Sequence, residues 1–226
     1  MKNLILIPCL AVLYFTMSFG QEPPAKPTAA GDDSPLLDQE VPHYEVTDGP
    51  FIEALSELSR NSSVPLHLGI ELAMREHMSD PADHSVRFSL RFDHATVREI
   101  LNAICNSDNR YAWSTDGPSI NFYPRSRIDD RTDFLNLRIG RIELNSVPDP
   151  DQALTPLVKL FPDEVIGYIQ GGGDPSYREP WTVTLEHLTV REFTDRIAEH
   201  MGPSTAWVWQ GGKDSRLFTF VKGGFH

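Results

Sequence analysis

A carboxylate beside an imidazole recurs at matching places of a repeated stretch in this 226-residue chain, Asp93-His94 and Glu186-His187. A carboxylate that orients a histidine can make it a general base, so these pairs are the first candidates for catalysis. A second requirement goes unmet. Neighbouring residues on extended chain point to opposite sides, and no Ser, Cys or metal-ligand partner recurs at matching positions in the two stretches, so nothing completes a site. The other histidines, His43, His67, His77, His84, His200 and His226, lack the paired spacing that holds a metal on a helix. Gly171-Gly172-Gly173 lacks the Lys-Ser or Lys-Thr of a phosphate loop and leads into a strand. The expectation is a protein that is not an enzyme and uses neither cofactor nor metal.

Binding chemistry is the next possibility. Tyr111 with Trp113, and Trp207 with Trp209, each put two aromatics on one face of a strand, where they either fill a core or offer a platform for a sugar ring. The local basic cluster is Arg125, Arg127 and Arg131. Arg125, Arg127, Trp207 and Trp209 are therefore the candidate partner-facing residues. The chain carries a formal charge of −12. Without Lys2 it would hold 19 basic against 32 acidic residues, or −13, which repels phosphate backbones and argues against nucleic acid.

The elements that position these residues repeat. Asp93-His94-Ala95-Thr96-Val97-Arg98-Glu99-Ile100 returns as Glu186-His187-Leu188-Thr189-Val190-Arg191-Glu192-Phe193. In each copy Thr96 and Glu99, or Thr189 and Glu192, stand as a capping box, with hydroxyl and carboxylate each taking a backbone N–H of the other residue. Apolar residues then keep helical spacing: Val97, Ile100, Leu101, Ile104 and Cys105, and later Val190, Phe193, Ile197 and Met201. An alternating strand precedes each box (residues 86–92 and 181–185), and an aromatic hairpin follows each (111–113 with 120–123, and 207–209 with 217–221). Ahead of these lie strand, helix and strand signals at 44–47, 51–61 and 64–70, and again at 134–144, 150–161 and 165–169. Pro156 predicts a kink or a late restart in the second of those helices.

The chain therefore divides into a signal peptide at 1–20, a disordered tether at 21–42, a first domain at 43–124, a linker at 125–132 and a second domain at 133–222. The signal is read from Lys2, the apolar run after it and the small residues at Ser18 and Gly20. The tether is read from its Pro, Ala and Asp content. The fold class is α+β: two tandem small domains in the order β-α-β-β-α-β-β, each a mixed sheet with two helices on one face. Cleavage after Gly20 leaves Cys105 as the one cysteine, so packing rather than a disulfide holds the mature chain.

One pattern here is that of a family. The helix Ala54-Leu55-Ser56-Glu57-Leu58-Ser59, an apolar strand, Phe88-Ser89-Leu90 leading to Thr96-Val97-Arg98-Glu99-Ile100-Leu101, and an aromatic hairpin resemble the short N-terminal domain shared by secretins and TonB-dependent receptors. The likeness covers roughly residues 44–124, and the order repeats in the second half. The polar insertion at 76–85 departs from the family pattern. The resemblance implies a periplasmic signalling or docking module that binds another cell-envelope protein and meets the membrane only through that partner. The sequence carries neither a barrel nor a secretin pore after the second hairpin. The expectation is an exported, non-catalytic adaptor, with a glycan- or peptidoglycan-binding module as the alternative.

Overall fold

The computed structural model describes residues 34–63, 65–72, 86–116, 119–162, 167–171, 179–211 and 216–222. The expected signal peptide, most of the expected tether, the insertion at 76–85, His77, His84, His226 and most of the glycine run lie outside them. Among the described residues the first copy runs β1 (Glu40–Gly49), α1 (Phe51–Asn61), β2 (His67–Leu72), β3 (Phe88–Thr96), α2 (Val97–Ser107), β4 (Tyr111–Asp116) and β5 (Ser119–Pro124). The second runs β6 (Arg141–Val147), α3 (Pro150–Leu160), β7 (Gly167–Gly171), β8 (Trp181–Glu186), α4 (Val190–Met201), β9 (Thr205–Gly211) and β10 (Arg216–Lys222). The α+β class and the repeated order hold.

The duplication extends to backbone irregularities. β1 pairs antiparallel with β3, and β6 with β8, and each ribbon shifts register once, between Val46 and Gly49 and between Leu144 and Val147. Asp48 and Ser146 occupy these shifts at φ 51° and 54°. Each one's N–H donates to a hydroxyl across the ribbon, that of Ser89 or Thr182. Such bulges bend a strand and raise its twist. His94 and His187 sit at φ 58° and 59°, a left-handed conformation that His tolerates better than most residues. The acid–histidine pair thus recurs where the chain leaves a strand for a helix.

Both capping boxes form. Thr96 Oγ1 accepts from Glu99 N at 3.2 Å while Glu99 Oε2 accepts from Thr96 N at 2.8 Å. The second box has its own reciprocal pair between Thr189 and Glu192. The bond from the Thr96 N–H, then that from its hydroxyl, holds the Glu99 carboxyl below the usual range. A further N–H of each helix start is met by the chain ahead of the ribbon, Val97 N donating to Gln39 O and Val190 N to Leu137 O, both at 3.0 Å.

Four expectations need correction. The tether ends earlier than residue 42: Leu37 is fully buried and β1 begins at Glu40, because the turn before the ribbon caps α2. The segment 134–144 is not one strand: Phe134–Asn136 is a 3-10 turn that buries Phe134 and Leu135, and β6 starts at Arg141. Helix α3 runs unbroken through Pro156, with Asp149 as its N-cap and Pro150 in its first turn. The fourth correction concerns the domains.

There are not two separate sheets. β4, β5, β2, β9, β10 and β7 lie in that order in one six-stranded sheet, so the first copy's hairpin and β2 continue directly into the second copy's hairpin and β7. The joint is parallel pairing of β2 with β9, Leu68 opposite Ala206 through Leu72 opposite Gln210. Each ribbon stands apart and packs on its own helices. Alternation along β9 shows how the cores divide. Ala206 and Val208 enter the core built by α1 and α2, whereas Trp207 and Trp209 enter the core built by α3 and α4. The two helix pairs therefore lie on opposite faces of one sheet. Residues 205–209 are buried without interruption for this reason, as expected of a strand covered on both faces.

Candidate docking interface

The β2–β9 joint is built around a glycine. Gly69 lies opposite Trp207, and a Cβ there would stand 2.5 Å from the Trp207 ring and closer still to Asn121 Oδ1. Only a residue without a side chain lets the indole lie flat on β2. Trp207 Nε1 donates to Asp195 Oδ1 of α4 at 2.8 Å, and Asn121 Nδ2 of β5 donates to Asp195 Oδ2 at 2.9 Å. Helix α4 therefore overhangs the edge of its own half and, through Asp195, ties its own β9 to β5 of the other.

Beside this bond lies a buried charge cluster. Glu71 of β2 is 0 % exposed; its Oε1 accepts from Arg127 Nη1 at 2.6 Å and its Oε2 from Arg191 Nη2 at 2.7 Å. Asp133 Oδ2 stands 3.4 Å from Arg127 Nη1. Burial first, and then the charge of Glu71, push the Asp133 carboxyl up. The Arg191 guanidinium also lies 5.5 Å from the centre of the Tyr123 ring. Two guanidiniums thus face two carboxylates where segments from both halves meet, which is the pairing a buried charge requires.

His67 completes the row on β2. Burial lowers its pKa, opposed by Glu199 of α4 and a hydrogen bond with the Thr205 backbone, and its Nδ1 is buried without a hydrogen-bond partner among the described residues. Arg191, Asp195 and Glu199 stand four apart on α4. Residues at that spacing form one stripe of a helix. This stripe answers Glu71, Asn121 and His67 in turn.

The sequence had singled out other residues. Trp207 and Trp209 are 0 % and 2 % exposed, so they leave the candidate partner surface and cannot stack on a glycan; the apolar requirement of a two-sided core put them there. Arg127 is mostly buried against Glu71 and is a fastener between the halves rather than a linker charge. Arg125 remains exposed, its Nε donating to Asn109 O at 3.0 Å. The acid–histidine pairs do not work as pairs. Asp93 accepts from His43 across the ribbon, and that bond is the main reason its pKa is lowered. His94 turns instead to Glu40, and Glu186 takes Arg141. Cys105 lies in the first core, its thiol pushed up to about 12 by burial. Among the described residues, no group of three or more His, Cys, Asp or Glu is placed to hold a metal, and no helix is long and apolar enough to cross a membrane.

Gly69, Glu71, Asn121, Arg191 and Asp195 escaped sequence reasoning. One signal pointed to the first pair: a glycine and an acid stand on the side of the alternating strand that faces away from Leu68, Ile70 and Leu72.

Comparison of the chain with protein-family models, curated proteins and solved structures finds no match.

Proposed function

We propose that this protein is a non-catalytic docking module, exported to the periplasm, that binds another protein of the cell envelope by pairing main chain with main chain at a sheet edge. The observation that carries the reading is the joint between its own halves, in which β9 has accepted a parallel neighbour, β2, from outside its own half. The sheet ends at β4 on one side, where the one strand neighbour among the described residues is β5. An end strand offers unpaired N–H and C=O groups to a partner. The duplicated β-α-β-β-α-β-β order supports the likeness to the short N-terminal domain of secretins and TonB-dependent receptors. The reading requires no cofactor, no nucleic acid and no membrane contact other than through the partner.

Site-specific photocrosslinking tests it. A photoreactive residue at Ser114 of β4 should capture one envelope protein from cells, and the same group at Glu53 on the exposed side of α1 should not. Equal capture from both positions, or none from Ser114, would overturn the reading.

A further inference from the structure

Helix α2 carries the stripe that α4 uses, and β4 carries the tryptophan that β9 uses. Counting from the two cap threonines, Arg98, Asn102 and Asn106 correspond to Arg191, Asp195 and Glu199. Ala112-Trp113 corresponds likewise to Ala206-Trp207, since Trp113 lies opposite Phe122 as Trp207 lies opposite Phe220. The side-chain bond is also repeated: Trp113 Nε1 donates to Asn102 Oδ1 at 3.1 Å, as Trp207 Nε1 donates to Asp195 Oδ1. In the second copy this pair clasps β2 and β5. In the first copy Asn102 and Asn106 are exposed and Trp113 is half-buried.

The backbone of Trp113 is turned the same way. Arg125 N donates to Arg110 O at 2.8 Å, which makes that a hydrogen-bonded pair of the β4–β5 hairpin. Such pairs alternate with non-bonded ones in an antiparallel ladder. Three residues on from Arg110, the N–H and C=O of Trp113 point away from β5, under the overhang of α2.

We infer that β4 together with the overhanging face of α2 is a berth for an extended segment of another protein, running parallel to β4 and presenting a glycine opposite Trp113. The inference rests on the docking function proposed above and names what that edge selects. Parallel direction comes from the β2–β9 precedent. Glycine comes from the indole: with Trp113 held by Asn102 as Trp207 is held by Asp195, a Cβ on the incoming strand meets the ring as it would at Gly69. The residues on either side of the glycine face away from α2, as Leu68 and Ile70 face away from α4 into the first core. They are not read by the berth. The carboxamide of Asn102, standing where the joint has the carboxylate of Asp195, both accepts and donates.

The probe is a peptide of residues 65–72 of this chain with Leu68→Thr and Ile70→Thr for solubility, offered at millimolar concentration to the full chain, with a Gly69→Val version beside it. Amide hydrogen exchange is read at Trp113. The berth predicts that the glycine peptide slows exchange there at least fivefold, that the valine peptide leaves it within twofold of the free protein, and that Trp113→Ala lets both peptides protect β4 alike. Equal protection by both peptides in the native chain overturns the glycine rule while leaving edge docking and its crosslinking test intact. No protection of β4 by either peptide, or protection confined to 206–210, overturns the berth itself. Slowing at Trp113 on concentrating the protein alone assigns the edge to a second copy of the chain and also overturns it.

Discussion

Asp195 and Asn102 hold the same place in two copies of one helix, and their surroundings could hardly differ more. Asp195 is 4 % exposed, with one oxygen on its own half's tryptophan and the other on Asn121 of the other half. Asn102 holds its tryptophan and otherwise faces outward. The difference is a matter of which strand lies beside the hairpin. It also explains a change of side chain: a carboxylate can be buried where it accepts two good hydrogen bonds, whereas a residue left in water gains little from the charge. The receiving side differs too. β2 supplies Gly69 and Glu71, but the register of β7 on β10 puts Ile169 and Gly171 in those places. The joint is thus specific to one pairing of unlike edges, and a chain of repeats does not follow from it.

Substitutions that attack the occupied edge should cost most. Glu71→Ala leaves Arg127 and Arg191 facing each other with Asp133 alone to neutralise them, and breaking a buried pair in this way costs about 3–5 kcal/mol. Urea melts should show it as a large fall in midpoint, and a loss below ~1 kcal/mol would mean that the cluster is not dry. Gly69→Val drives a side chain into the Trp207 ring and Asn121, for which the usual overpacking loss of about 1–3 kcal/mol is the expectation. Separate unfolding of the two halves in that variant, seen as a near-UV transition of Trp207 and Trp209 apart from the far-UV one, would sharpen the comparison further.

The caps are a control, because they belong to both copies alike. Thr96→Ala and Thr189→Ala should each cost about 1 kcal/mol. A cost several times greater for Thr189 alone would mean that the second cap is coupled to the joint through the next turn of α4, where Arg191 and Asp195 lie.

The smallest effect is on pH. The folded-state pKa of His67 is lowered from 6.5 by burial, so the unfolded chain binds this proton first, and the stability it confers is present above about pH 6.5 and lost as pH falls below it. Asp133 has the opposite sign: its raised pKa favours the folded state at low pH and that contribution is lost as pH rises above 3.8. Comparing the native chain with His67→Gln cancels Asp133. Urea midpoints should fall more between pH 7.5 and pH 5.5 in the native chain than in the variant, and parallel falls would remove His67 from the joint's energetics.

Local order was readable from residue types. The capping boxes, both hairpins and the repeat itself follow from spacings within a dozen residues, where the physics is local. What could not be read was the joining of the halves. Residues 205–209 lack the period-two pattern of a half-exposed strand, whereas Leu66, Leu68, Ile70 and Leu72 alternate with His67, Gly69 and Glu71 as such a strand would, and neither pattern says which strand lies beside it. The same blindness left Trp207 and Trp209 between core and platform and put Arg127 in a linker. A strand buried on both faces and an arginine buried against a distant acid are consequences of tertiary pairing, invisible to any window along the chain. The first residues of the first repeat were missed for a related reason: Leu36 and Leu37 are a short apolar pair in a polar stretch, and the value of Leu37 lies in the helix start it covers.

The claim at the centre of this account is that two copies of one edge differ in being occupied. Native-state hydrogen exchange on the free full-length chain reads both in one experiment, through the amides of Trp207 and Trp113. Trp207 should exchange only on global unfolding, and Trp113 should exchange at least a hundredfold faster, because its N–H points away from β5 with no strand beside it among the described residues. Equal protection of the two amides in the free protein would contradict the account.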